Sequence, residues 1–231
     1  MRFTAVCLVV FVGIAAATVA SAQGTPPATD LYHVHFTKSA PGQAAAHAKS
    51  LMTPDKTSPM PDHFVVLRHQ EGDDWDYVVI QHLGPKAEVT AGGAPPTDPT
   101  RGLVAWHNDT FTTGPSWSQF TKEMGIGGAP GQVYIVGVHR AVAGHREQLL
   151  QSLGTTGAAG KIQTGNVLLQ HVEGSDWTFA TITRYNSWQD FASDRAAASS
   201  AGDATAGGWA DIRQHSAFHR DTIADRIHPA K

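Results

Sequence analysis

The sequence predicts an α+β fold in which one unit of roughly a hundred residues occurs twice in tandem. Three observations lead to this prediction. When the chain is shifted by 102 positions, residues 32–75 align with residues 134–177 without a gap. The densest match is the pattern H-x-E-G-x-D-W, which begins at His69 and again at His171. Segments with strand-like alternation and segments with helical spacing also follow one another in the same order in both units.

Each unit is predicted to have the order β-α-β-β-α. The first strand alternates β-branched and aromatic residues at 32–37 and 133–139, and a helix rich in Ala, Gln and Leu follows it. The sequence Glu-Gly-x-Asp then forms a turn that joins two further strands into a hairpin. The helices and hairpin strands are expected at 42–52, 64–70 and 75–83 in the first unit and at 144–153, 167–171 and 177–185 in the second.

A second helix is predicted after a Gly/Ala/Pro-rich loop in each unit, and no fourth strand is indicated. In the first unit Asp98-Pro99 suits the start of a helix. In the second unit Trp209, Ile212, His219, Ile223 and Ile227 fall on one helical face. The repeated pairs His107/Asp109 and His219/Asp221 would then lie on helices or at helix ends. Residues two apart on a helix do not face each other, so a His–Asp pair is not expected there.

The N-terminal segment has the pattern of a secretory signal. Met1-Arg2 is followed by an apolar run and by Ala20-Ser21-Ala22, an A-x-A cleavage signal before Gln23. We therefore expect a signal peptide at 1–22, a first repeat at 23–124, a linker at 125–132 and a second repeat at 133–231. The mature protein is expected to be secreted or periplasmic, and not membrane-bound after cleavage.

Composition excludes several classes of function. The net charge is −3 and the basic residues are scattered, which argues against nucleic-acid binding. The only cysteine, Cys7, lies in the signal segment, so the mature chain has no disulfide and no thiolate nucleophile or metal ligand. No hydrolase, zinc-protease, phosphate-loop or dinucleotide-binding motif occurs. The expected partner is a small-molecule ligand, and the expected state is a monomer or homodimer.

The order of elements resembles the dimeric α+β barrel superfamily. In both units the first strand runs through a K-x-x-P-G or R-x-x-x-G segment into the helix, from Lys38 to Gly42 and from Arg140 to Gly144. This superfamily includes antibiotic-biosynthesis monooxygenases, NIPSNAP-like proteins, stress-responsive A/B-barrel proteins and relatives of chlorite dismutase. The resemblance implies two ferredoxin-like antiparallel sheets that face each other, helices outside and a ligand pocket between the sheets. A tandem copy would build this barrel within one chain.

Side chains alternate between the two faces of a strand, and this parity of positions predicts which side chains line that pocket. Tyr32, Val34 and Phe36 are apolar in both units, and we expect this face to pack on the helices. The opposite face, with His33 and His35, would then point between the sheets. On the other strands the same argument directs these residues inward: Phe64, Val66, Arg68, Tyr77, Val79 and Gln81 in the first unit, and His139 with Ile135 and Gly137 in the second.

His33 and His35 are the candidate catalytic residues. Their spacing puts two imidazoles on one side of a strand, about 6.5 Å apart along the chain. One of them would move a proton, while Arg68, Tyr77, Gln81 and His139 would bind the substrate. The pair would chelate a metal only with a third ligand, which spacing does not identify, so no metal site is assigned. The histidines His69 and His171 beside the repeated turn are expected to be structural.

Three functions remain open. The first is an exported enzyme that acts on a small, mostly apolar molecule by cofactor-independent oxygenation, cyclisation or isomerisation, as the resemblance implies. The second is a non-catalytic ligand-binding or stress-response module that uses the same cavity. The third is a haem or metal protein. The sequence does not identify a cofactor.

Overall fold

The computed structural model describes residues 30–54, 62–86, 101–159, 162–200 and 208–229. The expected signal peptide at 1–22 and the pair Asp98-Pro99 lie outside these ranges. No helix within them is long and apolar enough to cross a membrane.

Eight strands and five α-helices make up the described part of the chain. The strands are Asp30–Ser39 (β1), Phe64–Glu71 (β2), Tyr77–Pro85 (β3), Val104–Gly114 (β4), Val133–Ala141 (β5), Gly165–Glu173 (β6), Phe179–Tyr185 (β7) and Ser216–His228 (β8). The helices are Ala44–Leu51 (α1), Trp117–Glu123 (α2), Arg146–Ala159 (α3), Trp188–Ser200 (α4) and Trp209–His215 (α5), with a 3₁₀ turn at Arg101–Leu103.

The strands form one closed barrel in the order β1-β3-β2-β8-β5-β7-β6-β4, and every neighbouring pair is antiparallel. Each repeat contributes four consecutive strands of the ring. Two seams, β2 with β8 and β4 with β6, join one repeat to the other. Around the ring, β1, β3, β2 and β8 are followed by their counterparts β5, β7, β6 and β4, each in the same direction as the strand it matches. A pseudo-twofold rotation about the barrel axis therefore relates the repeats. The predicted α+β barrel is therefore confirmed.

Each repeat has a fourth strand that the sequence pattern did not predict. The helix expected over 209–227 ends at His215, and Ser216 begins β8. His219, Ile223 and Ile227 are four residues apart, which fits one helical face but also fits alternate positions of a strand. Since β4 and β8 form both seams, closure of the barrel depends on these two strands.

Tyr32, Val34 and Phe36 face the barrel interior, so the prediction that they pack on helices is wrong. They belong with Tyr134 and Val136 to one buried cluster that draws on both repeats. The same cluster contains Val65, Leu67, Val78 and Ile80 and their counterparts Val167, Leu169, Ala180 and Ile182. A closed barrel has a single interior that both repeats must fill, and apolar burial is the main stabilising contribution. Apolar residues kept in both repeats therefore mark the inside of the barrel.

Helix α2 closes the end of the barrel where β1 and β5 begin. The Ser116 side chain caps this helix by accepting a hydrogen bond from the backbone N–H of Gln119. Phe120 is fully buried, with its ring 5.1 Å from the ring of Tyr32. The Tyr134 hydroxyl donates to the carbonyl of Met124 at 2.8 Å. The helix thus bridges the first strands of both repeats.

The helices of the second repeat cover part of the outer face of its sheet. Leu149 and Leu153 of α3 pack against Phe179 of β7, and Ile212 of α5 joins this smaller cluster. Phe179 lies on the opposite face of β7 from Ala180 and Ile182, which point into the barrel. The outer face of the sheet is therefore the one that the helices cover.

The repeated hairpin of each unit docks on the fourth strand of the other unit. A Cβ at Gly72 would lie 2.6 Å from the carbonyl oxygen of Asp221, and a Cβ at Gly174 would lie 2.2 Å from that of Asp109. The backbone N–H next along the chain donates to a threonine of that strand, Asp73 to Thr222 at 3.2 Å and Ser175 to Thr110 at 3.3 Å. At each seam, the Glu-Gly-x-Asp turn of one repeat thus contacts the His-x-Asp-Thr segment of the other.

We expect Gly174→Ala to destabilise the fold by roughly 2–5 kcal/mol. The positive φ costs an L-residue about 1–2 kcal/mol, and the added methyl group meets backbone that cannot move aside, at a further 1–3 kcal/mol. Gly144→Ala is the matched control, because its φ is also positive but nothing lies within 4 Å of the new Cβ. Urea unfolding measures both variants. An equal loss of unfolding free energy in Gly174→Ala and Gly144→Ala would contradict the close docking of the hairpin.

Candidate functional site

The predicted site residues share the outer face of the barrel and do not lie between the sheets. His33, His35, Gln81, Arg68 and Tyr77 occupy strand positions that alternate with interior residues such as Val34, Ile80 and Leu67. His139 lies on the corresponding outer face of the second repeat, between the interior residue Val138 and Arg140. Parity therefore grouped these residues correctly but assigned the group to the wrong side of the sheet.

His33 and His35 converge on a carboxylate that the sequence did not assign to them. The Asp109 Oδ1 atom lies 2.8 Å from Nε2 of His33 and 2.7 Å from Nδ1 of His35. Asp109 belongs to β4, the strand next to β1, and is the direct cross-strand partner of His35. The side chains of His33 and His35 are 26% and 20% exposed, so they are reachable from solvent.

A third histidine completes this group. His107 is two residues before Asp109 on β4, and its Nδ1 lies 2.7 Å from Asp109 Oδ2. Residues two apart face the same side of a strand, whereas they diverge on a helix. The prediction that His107 and Asp109 do not pair is wrong for this reason. We call His33, His35, His107 and Asp109 the first-repeat cluster.

Asp109 is held in its ionised form by this arrangement. Burial by itself would raise its pKa, but hydrogen bonds from His33 and His35 outweigh burial and hold the pKa well below its usual range. An ionised carboxylate only accepts hydrogen bonds, so each imidazole presents an N–H to it. The opposite ring nitrogen then keeps its lone pair in the neutral imidazole, as a general base requires.

Two further side chains border the cluster on the outer face. Phe111 is an exposed aromatic residue whose ring centroid is 5.4 Å from that of His33. Gln81 is the cross-strand partner of His33 on β3. An aromatic surface beside partly exposed imidazoles and an amide gives a place where a planar molecule can stack and accept a hydrogen bond.

Arg68 and Tyr77 are engaged elsewhere on the same face. Arg68 makes two hydrogen bonds to Asp225 of β8, at 3.1 and 2.7 Å, across a seam of the barrel. The Tyr77 hydroxyl donates to the carbonyl of Ala44 at 3.0 Å, under α1. Because β3 separates β2 from β1, Arg68 is two strands away from His33. Of the predicted substrate-binding residues, only Gln81 lies next to the first-repeat cluster.

The second repeat carries a related group on its own outer face. His139 of β5 is the cross-strand partner of His219 of β8, and Nε2 of His219 lies 3.0 Å from Asp221 Oδ1. Burial, with the charge of His219, lowers the pKa of His139 to about 4 against the opposing effect of Asp221. We call His139, His219 and Asp221 the second-repeat cluster. In the described part of the chain, this cluster and the trio His33, His35 and Asp109 are the two groups with metal-ligand spacing.

A cavity of about 170 Å³ does lie between the sheets, at the barrel end opposite α2. Its lining combines polar and charged side chains with aromatic and apolar ones, among them Phe36, Trp75, Trp106, Trp177 and Phe218. The predicted pocket between the sheets is therefore present, but its lining differs from the prediction. The hairpin tryptophans point into it, whereas the histidines lie on the other side of the barrel wall.

The low pKa of Asp109 gives a prediction for stability. An aspartate in the unfolded chain titrates near 3.9, above the native value, so its ionised form stabilises the fold above about pH 4. This stabilisation is lost as the pH falls from about 4 toward the native pKa. We expect the wild type to be more stable than Asp109→Asn at about pH 5–7, and the difference to shrink below about pH 4.

Urea unfolding across this pH range makes the comparison, with Glu147→Gln as a control on an exposed carboxylate. A difference between wild type and Asp109→Asn that does not change with pH would contradict the assignment.

No family model matches the sequence, and neither does any curated protein. Solved structures do match. An anthrone oxidase-like protein is 12% identical, with a TM-score of 0.58 over 87% of this chain and 92% of that one. A "putative monooxygenase" of Fusobacterium nucleatum subsp. nucleatum is 6% identical, with a TM-score of 0.57 over 87% of this chain and 94% of that one.

At these identities the likeness concerns the fold. The matches extend over nearly the full length of both proteins, so they include both repeats. The chain has the α+β barrel fold of the superfamily that its sequence resembles, with both halves of the barrel in one polypeptide.

Proposed function

We propose that this protein is an oxygenase that needs no cofactor and acts on a planar aromatic molecule at the first-repeat cluster. The observation that carries the proposal is the contact of three imidazoles with one ionised carboxylate, on a face that solvent can reach. An imidazole oriented by a carboxylate is the usual general base in proteins. The exposed ring of Phe111 offers a stacking surface beside it.

His35 is the proposed base. Its Nδ1–H donates to Asp109, so Nε2 is free to take a proton from an acidic CH₂ group of the substrate. Asp109 then stabilises the imidazolium through the same hydrogen bond. The carbanion reduces O₂, and after proton return the hydroperoxide loses water to leave a ketone. The sum is R₂CH₂ + O₂ → R₂C=O + H₂O, so no external reductant is consumed.

Anthrone is the substrate class to test first. Anthrones carry an acidic CH₂ between two aromatic rings, and conjugation stabilises the carbanion that the mechanism needs. One of the proteins with this fold is described as anthrone oxidase-like, which supports the choice. The cavity between the sheets holds about 170 Å³, below the roughly 300–1,000 Å³ of common ligand pockets. A three-ring substrate therefore fits the open outer face better than the barrel interior.

The proposed setting is outside the cytoplasm. The signal pattern at 1–22 supports export, with a mature chain that begins at Gln23 in the periplasm or the medium. Both halves of the barrel come from one chain, which supports a functional monomer, although a homodimer is compatible with the site.

We expect purified mature protein to accelerate oxygen uptake with anthrone and to form anthraquinone in equal amount. His35→Gln and Asp109→Asn should each lower the rate at least about 100-fold, because positioned proton transfer contributes 10²–10⁴. Glu147→Gln, an exposed carboxylate outside the cluster, should retain full activity. An oxygen electrode and the quinone absorbance measure the reaction. Full activity of both cluster variants would refute the proposed base.

A second candidate function is non-catalytic binding in the cavity between the sheets. Its aromatic walls suit a molecule of one or two rings, with Arg220 and Asn108 as polar groups in the lining. Three tryptophans in these walls provide a signal for binding.

We expect 4-nitrophenol to quench tryptophan fluorescence if the cavity binds such rings. Val138→Trp should abolish the quenching because the larger ring fills the cavity that Val138 lines. Val172→Trp, at an exposed position, is the matched control. Anthrone oxidation should survive Val138→Trp, since Val138 points into the barrel and the cluster lies outside. Loss of oxidation in this variant would indicate that the active site lies in the cavity.

A further inference from the structure

The outer face of the second repeat contains a small space that three polar side chains surround. Gly137 of β5 forms its floor. A Cβ at this position would lie 2.7 Å from Thr181 Oγ1, 2.8 Å from Asp221 Oδ1 and 3.0 Å from His139 Nε2. These atoms come from three neighbouring strands, β7, β8 and β5, so the barrel itself holds them together. Any residue other than glycine would fill the point on which they converge.

The two imidazoles of this group face each other. The rings of His139 and His219 are parallel within 6°, with their centroids 4.8 Å apart. One ligand atom from each histidine and one from Asp221 all lie within 4.8 Å of one another. Ligands at about 2.0–2.2 Å from a metal are roughly 3–3.5 Å apart. Small side-chain rotations would therefore bring the three atoms onto one ion.

His139 is poorly satisfied by hydrogen bonds for a side chain in its environment. The residue is 3% exposed, and the hydroxyl of Thr181, at 3.2 Å, is the hydrogen-bond partner of its Nε2. Its Nδ1 has no partner among the described residues. A buried polar group normally makes its hydrogen bonds, because leaving them unmade costs about 1–3 kcal/mol. The nitrogen beside the Gly137 space is Nε2, and its hydrogen bond to Thr181 is long, so an ion there would gain a ligand without the loss of a strong hydrogen bond.

The first repeat has a different residue at the position equivalent to Gly137. The residue equivalent to Gly137 is His35, whose ring fills the corresponding space and bonds directly to Asp109. Both oxygens of Asp109 are already taken by imidazoles at 2.7–2.8 Å. In the second repeat Asp221 Oδ1 has one histidine at 3.0 Å, and the Cβ-sized space remains beside it. The glycine therefore distinguishes a site with room for an ion from one without it.

From these observations we infer that His139, His219 and Asp221 bind a divalent transition-metal ion. Two imidazoles and one carboxylate suit Zn²⁺, Fe²⁺, Co²⁺ or Ni²⁺, whereas Mg²⁺ and Ca²⁺ prefer oxygen ligands alone. Three protein ligands leave at least one coordination position for water or a small ligand. Since Asp221 is 47% exposed, that position opens toward solvent. This site is independent of the proposed oxygenase, which uses the first repeat.

Calorimetric titration of tag-free, EDTA-treated mature protein with Zn²⁺ tests the site. We expect one ion per chain from the second repeat, and affinity at least 10-fold weaker in His139→Gln and in Asp221→Asn. Gly137→Ala should weaken binding in the same way while it retains every ligand, because its Cβ occupies the metal position. Asp109→Asn, the equivalent change in the first repeat, should leave the affinity unchanged.

Cobalt substitution provides a readout besides affinity. Co²⁺ bound to imidazole and carboxylate absorbs in the visible region, and the Asp221→Asn spectrum should differ from that of the wild type. His219→Gln, at a partly exposed position, serves if the buried His139 variant fails to fold. Absence of Zn²⁺ binding at 100 μM (roughly −5.5 kcal/mol at the 1 M standard state) would overturn the proposal. Binding that is lost in Asp109→Asn but not in Asp221→Asn would also overturn it.

Discussion

Closure of the barrel through its two seams is the constraint on which the rest of the structure depends. Strands β2 and β8 pair at one seam and β4 and β6 at the other, and each hairpin docks on the fourth strand of the opposite repeat. Once the ring is closed, there is one interior, and both repeats must fill it with apolar side chains. The alternate positions of the same strands, which include His33, His35 and Asp109, are then directed outward. The histidine clusters follow from this closure.

Much of the fold was accessible from the sequence because the similarity of residues 32–75 to residues 134–177 supplied an internal comparison. Tyr32, Val34 and Phe36 recur as Tyr134, Val136 and Val138, which separates the two faces of the first strand. Parity by itself does not tell which face is enclosed. The closed ring decides this point, and the strands that close it were assigned to helices. His33, His35 and Gln81 were therefore grouped correctly but placed on the wrong side of the sheet.

The contact of the two histidines with Asp109 was missed for a related reason. His107 and Asp109 diverge on a helix but point the same way on a strand, so the error in secondary structure hid the contact. The segment Trp106–Thr113 does contain a strand signal, since Trp, Phe and three Thr residues favour strands. The contact of Asp109 with His33 and His35 spans more than seventy residues, and only the pairing of β1 with β4 makes it visible. Sequence spacing does not contain that information.

The two repeats therefore share a scaffold and differ in what they place on its outer face. His35 and Gly137 occupy equivalent positions in the two units. His35 completes a His–Asp hydrogen-bond network, whereas Gly137 leaves a space beside Asp221. We propose that ligands of the protein bind to the outer face at the first-repeat cluster.

Histidine-resolved NMR with a soluble analogue of the proposed product, anthraquinone-2-sulfonate, tests this claim most directly. We expect shifts in the ring signals of His33, His35 and His107, while the signals of His69 and His171, which pack against the hairpin tryptophans, stay unchanged. Shifts confined to His69 and His171 would place the ligand inside the barrel and contradict binding at the first-repeat cluster.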